Sequence, residues 1–136
     1  MTSQLNVDTI VDKAGSGGTN VKIGNTSTYV SENSSTTQNT VQGICKCWTK
    51  HENDASLYDS YNITSGTDNG TGDYTFTITN AFNAIHWSGQ STNVTSGNYI
   101  LRIASVGTTS VQVKSMSDST SAHDDDGCIG IHGDLA

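Results

Sequence analysis

The chain has 136 residues and a net charge of −7, a length that predicts one compact domain with an arm. Ser, Thr and Asn supply 50 residues and Leu, Ile, Val and Phe only 25, about 18 % and near the level at which disorder competes with folding. Residues 51–136 set ten carboxylates against Arg102 and Lys114 alone, while residues 1–50 balance at +1; nothing forms a basic stripe or a membrane-length apolar run, so nucleic-acid binding and membrane insertion are not expected.

The apolar residues are mainly Val and Ile in alternating runs, which favours strands over disorder. Residues 1–40 contain short β-like pieces, Leu5 to Val11 and Val21 to Ile23, separated by Gly15-Ser16-Gly17-Gly18 and followed by a Ser/Thr/Asn run. This segment is too poor in apolar residues to fold alone and reads as an extended N-terminal arm, flexible or ordered by docking. Residues 41–136 carry most of the strand signals and read as the folded outer domain.

Within that domain, Val41 to Lys50 places Val41, Gly43, Cys45 and Cys47 on one face and Ile44, Lys46 and Trp48 on the other. A second strand is expected over Ser56 to Ile63. Residues 61–79 read as strand, glycine turn, strand: Asp68-Asn69-Gly70 and Gly72 suit a tight reversal. Beyond the turn, Tyr74, Phe76 and Ile78 alternate with Thr75, Thr77 and Thr79. Further strands are predicted at Ile85 to Trp87, at Tyr99 to Ala104, at Val111 to Val113 and at Cys128 to His132. Tyr99 to Ala104 is apolar on both faces, which predicts a central strand with Tyr99 in the core. Seven or so short strands, polar turns and no proline predict an all-β fold, an antiparallel β-sandwich. The small apolar supply further predicts a core completed by association with other chains.

Site-forming residues are few. Cys45 and Cys47 with Cys128 and His132 lack the knuckle-like spacing of a structural zinc site, and they read as small buried thiols. His123-Asp124-Asp125-Asp126-Gly127 is the sharpest charged cluster; without EF-hand spacing it reads as a solvated acidic turn, and no metal or other cofactor is expected. His51, His86, His123 and His132 are available as bases, but no nucleophile elbow, zinc-protease pair or phosphate loop accompanies them, so an enzyme is not expected. Trp48, Trp87, Tyr58, Tyr61 and Tyr99 anchor the sandwich if buried, or form a platform for sugar or protein partners if exposed. Trp87, beside a loop, is the candidate for exposure. With no apolar signal-peptide core at the N-terminus, the five N-x-Ser/Thr sequons read as unglycosylated and the chain as made in a cytoplasm.

Three segments, in order, carry a resemblance. They are Ser3-Gln4-Leu5-Asn6-Val7-Asp8-Thr9-Ile10-Val11-Asp12-Lys13-Ala14-Gly15-Ser16-Gly17, then Asp68-Asn69-Gly70-Thr71-Gly72-Asp73-Tyr74-Thr75 with Thr79-Asn80-Ala81-Phe82, then Gly130-Ile131-His132-Gly133-Asp134-Leu135-Ala136. Together they resemble tail-fibre and virion structural proteins of marine bacteriophages, including those infecting cyanobacteria and pelagic bacteria. The resemblance implies a jelly-roll-like β-domain in a homotrimeric appendage, located in the virion. It implies docking on other virion proteins through Leu5, Val7, Ile10 and Val11 of the arm. The outer domain would contact a host-surface glycan or protein, with Trp87, His123, Asp124, Asp125 and Asp126 as receptor-contact candidates. The chain's length suits a short spike, a fibre tip or a capsid decoration protein better than a full shaft.

Overall fold

A computed structural model describes residues 28–30, 37–95, 97–117 and 121–135. The chain divides into two compact units, Met1–Val41 and Gln42–Ala136. In the first, β1 (Thr28–Val30) and β2 (Thr37–Asn39) form an antiparallel hairpin within the stretch read as a polar run. The β-like pieces expected earlier in the arm, with Leu5, Val7, Ile10 and Val11, lie outside the described residues.

One helical turn, α1 (Thr40–Gly43), precedes eight further strands. These are β3 (Cys45–His51), β4 (Leu57–Tyr61), β5 (Ile63–Gly70), β6 (Asp73–Ile78), β7 (Phe82–Asn93), β8 (Tyr99–Val106), β9 (Ser110–Ser117) and β10 (Gly127–Leu135). They build two four-stranded antiparallel sheets, ordered β4-β3-β10-β7 and β5-β6-β9-β8. The protein is all-β and sandwich-like, because both inner faces feed one apolar core. Cys47, Phe82, Ile129 and Ile131 come from the first sheet; Ile63, Tyr74, Phe76, Ile78, Leu101, Val111 and Val113 come from the second. Each large apolar side chain removed from water contributes about 1.5–3 kcal/mol.

The expected hairpin is β5–β6. Gly70 (φ 122°) and Gly72 (φ 65°) occupy left-handed backbone at its turn, and the Asp68 carboxylate accepts from the Gly70 N–H at 2.8 Å. Ala55, itself at φ 67°, folds the β3–β4 loop over β5, where its carbonyl lies against Gly66. A Cβ on Gly66 would come within 2.0 Å of that oxygen.

Three expectations need correction. Ser56 to Ile63 is not one strand. It breaks at Asn62 (φ 59°), where the chain leaves the first sheet for the second. Asn tolerates this conformation, and its side chain fastens the corner: Nδ2 donates to the Lys46 and Asn80 carbonyls, and Oδ1 accepts from the Asn80 backbone N–H at 2.7 Å. Second, β8 is an edge strand, not a central one; Ile100 is 59 % exposed and Tyr99 is half-buried, stacked on His123. Third, the strand expected over Val41 to Lys50 begins only at Cys45, after the α1 turn, and strict alternation within it fails. Two residues of β3, from Cys45 to Cys47, span one step of β10, from His132 to Ile131, so Lys46 sits at a bulge and is buried.

Candidate binding face

The outer face of the first sheet is the best-formed candidate surface. Inward positions of β3 are Cys47, Thr49 and His51, so Trp48 and Lys50 point outward. Register then sets their neighbours. Trp48 lies opposite Tyr61 on one side and Gly130 on the other, and Gly130 lies opposite Gln90. The next row runs Asp59, Lys50, Cys128, Thr92.

Aromatic rings dominate one half of this face. Tyr58 is 64 %, Tyr61 56 % and Trp48 37 % exposed. The Lys50 ammonium stands 4.5 Å from the centroid of the Tyr58 ring, a cation–π contact that holds this ring in place. The other half is a shallow groove of about 380 Å³ lined by Gln90, Thr92, Cys128 and Gly130. Gly130 forms an open floor: a Cβ there would meet no atom within 4 Å. With strands about 4.8 Å apart, Trp48 and Gln90 stand roughly 10 Å apart across that floor. Flat rings beside amide and hydroxyl groups can hold the apolar face of a ligand while fixing its polar edge. The sequence contains these aromatics, but only register shows that Trp48 and Tyr61 adjoin.

Trp87 faces the other way. It packs against the core, with its ring 6.2 Å from that of Phe82 and its Nε1 donating to the Gly107 carbonyl at 3.4 Å. Its exposure, expected from the neighbouring loop, is corrected because β7 runs on to Asn93 and keeps Trp87 within the sheet. The same extension makes Gln90 to Asn93 strand.

The acidic stretch 123–126 is tied to the body. Asp125 is buried, and its carboxylate accepts from Asn93 Nδ2, Thr95 Oγ1 and the Asp126 N–H. The Asp124 carboxylate accepts from the Gly72 N–H at 2.6 Å. Tyr74, fully buried, places its hydroxyl between the strands and this loop: it accepts from the Asp125 N–H at 3.0 Å and lies 3.1 Å from the Asn53 carbonyl as donor. Burial pushes the Tyr74 phenol up to about 12. His123 stacks on Tyr99 at 4.2 Å between centroids. Asp125 is thereby withdrawn from any partner, which corrects the reading of a fully solvated turn, whereas His123 and Asp124 remain exposed.

Beneath the loop lies His51, fully buried between Tyr74 and Phe76 at 5.1 and 4.9 Å. Its Nδ1 is 2.9 Å from the Glu52 carbonyl, and among the described residues its Nε2 has no hydrogen-bond partner. Burial lowers its pKa, opposed in part by the Glu52 carbonyl and by Asp126 and Asp125. The cysteines separate. Cys47 is buried, and desolvation followed by Cys45 pushes its thiol up to about 12. Cys128 occupies the outer face, and Cys45 lies in register with His132. Among the described residues, no three His, Cys, Asp or Glu side chains converge to hold a metal ion.

Comparison with protein-family models, with curated proteins and with solved structures found no match.

Proposed function

We propose that this chain is a bacteriophage virion structural protein, a short fibre, spike or tail-fibre component, which binds the host surface without a covalent step. The observation that carries the adhesive part is the exposed Trp48–Tyr61 pair beside the Gly130 groove. Adjoining exposed aromatic rings are a recurrent mark of a binding surface. Rings flanked by Gln90, Thr92 and Asp59 suit a sugar, whose C–H faces stack and whose hydroxyls take hydrogen bonds. The placement in a virion rests on the resemblance of the three quoted segments.

The finer architecture follows the same reading. Eight strands in two four-stranded sheets match the strand count of a jelly roll. Here, however, β3–β4, β5–β6 and β8–β9 pair as hairpins within a sheet. A small core, with Ile100, Ile85 and Ile44 left outside it, supports completion by neighbouring chains in a trimer.

The test is binding of the full chain to purified host-surface polysaccharide, alongside its solution mass by light scattering. Trp48→Ala and Tyr61→Ala abolish binding if the face is the contact, with folding checked by circular dichroism. Unchanged binding in both variants refutes the face. A monomeric full chain refutes the trimer and favours a decoration protein or a freestanding carbohydrate-binding module.

A further inference from the structure

The outer face of the second sheet carries a separate arrangement of charge. Arg102 and Lys114 are the only Lys or Arg between residues 51 and 136, and the fold sets them directly opposite each other across β8 and β9. Like charges directly opposed in an antiparallel pair are destabilising. One carboxylate is at hand, Asp73, opposite Lys114 on β6. It is already occupied: Oδ2 takes the Lys114 ammonium at 2.9 Å, and Oδ1 takes Gln112 Nε2 at 2.6 Å and Asn69 Nδ2 at 3.4 Å. Lys114 and its hydrogen bonds hold Asp73 below the usual carboxylate range, so it stays ionised. Among the described residues Arg102 makes no ion pair. Its planar fork of N–H donors, the natural partner of an oxyanion, thus meets no carboxylate among the described residues.

The two cations also share a cleft. It measures about 390 Å³, within the rough 300–1,000 Å³ range of small-molecule sites. Arg102, Lys114 and Asp73 line it with Asn69 and Thr71 from the β5–β6 turn, and Met116 forms an apolar wall.

We propose that this cleft binds a single carboxylate carried on an otherwise neutral, hydroxyl-rich ligand such as a sparsely acidic sugar. Arg102 grips the anion in bidentate fashion, and Lys114 supports it from across the strand pair. Asn69 and Thr71 take the neighbouring hydroxyls, and Met116 receives an apolar face. Charge decides the ligand class. Two cations, one already paired, neutralise about one negative charge, while the ten carboxylates of this half repel a densely charged polymer such as nucleic acid. The site lies on the opposite sheet from the Trp48–Tyr61 face, so it stands or falls separately from the proposed adhesive function.

The experiment is a titration of the full chain followed by NMR, reading the Arg102 side-chain Nε–H and the Gly70 and Gly72 amides. The probes are glucuronate, glucose and inorganic sulfate. Glucuronate is expected to shift these signals saturably at low ionic strength, and glucose is not. Arg102→Gln should weaken glucuronate at least about tenfold, the loss of one charge-assisted hydrogen-bonded contact. Arg102→Lys should recover part of it. Both variants alter an outward-facing side chain, and their amide spectra report whether the fold is kept. No saturable shift with glucuronate, or equal affinity in a folded Arg102→Gln, overturns the proposal. Sulfate binding without glucuronate binding overturns the sugar-borne ligand.

Discussion

Tyr74→Phe removes one oxygen atom from the point where two loops meet the sheet. The Tyr74 hydroxyl is the acceptor for the buried Asp125 N–H and lies within donor reach of the Asn53 carbonyl. After substitution, the Asp125 N–H has no acceptor in its place, and leaving a buried donor unpaired costs about 1–3 kcal/mol. The Asn53 carbonyl sits on an exposed loop and regains water, which adds well under about 1 kcal/mol. The ring still fills its site, so no cavity term enters. A net loss of about 2 kcal/mol follows, equivalent to a fall of about 8–16 °C in Tm for a domain of this size. Urea unfolding followed by tryptophan fluorescence measures it, since core-packed Trp87 changes environment on unfolding. The midpoint should move with the slope unchanged. A loss below about 0.5 kcal/mol, within the range of ordinary surface changes, would refute the claim that Tyr74 fastens the acidic loop.

Three further outcomes are expected. His51 is held neutral in the folded state, its pKa lowered from 6.5 by burial. The unfolded chain therefore takes up the extra proton, and stability is lost as pH falls below about 6.5, by up to about 1.4 kcal/mol per pH unit. His51→Gln should flatten that slope in unfolding measured between neutral and mildly acidic pH. Iodoacetamide on the native protein at mildly alkaline pH should spare Cys47, whose thiol is pushed up to about 12, and label it only after denaturation, as peptide mass mapping would show. Gly72→Ala should be severely destabilised, because its Cβ would approach the Ser115 carbonyl to 2.4 Å at a φ of 65°, whereas Gly130→Ala should keep nearly wild-type Tm by calorimetry.

Much of the strand content was legible before the fold was known. Tyr74, Phe76 and Ile78 alternate with threonines and became the buried face of β6, and the glycine turn before them closes the β5–β6 hairpin. Those features are local: one residue's neighbours two positions away determine the face, and a tight turn at φ > 0 favours glycine. The misreadings are of another kind. Tyr99 to Ala104 looked central because apolar residues occupy both faces, yet strand order is decided by which segments pair with it, and among the described residues only β9 does. Lys46 looked outward because a bulge is set by the partner strand's register. Trp87 looked exposed because the end of β7 is fixed by pairing with β10, whose partner residues lie some forty positions away.

The candidate surfaces divide in the same way. The sequence by itself determined the inventory: few aromatics, two cations in an acidic half, one run of three aspartates, no helix-period pattern, and strand-forming segments with their turns. Tertiary structure alone decided what that inventory makes. It set Tyr61 beside Trp48 and Gly130, opposed Arg102 to Lys114, and buried Asp125 while leaving Asp124 at the surface. Alternation along a strand is a property of adjacent residues, and a sequence displays it. Neighbourhood across strands depends on register and sheet order, which emerge only when segments far apart in the chain bury their apolar faces against one another.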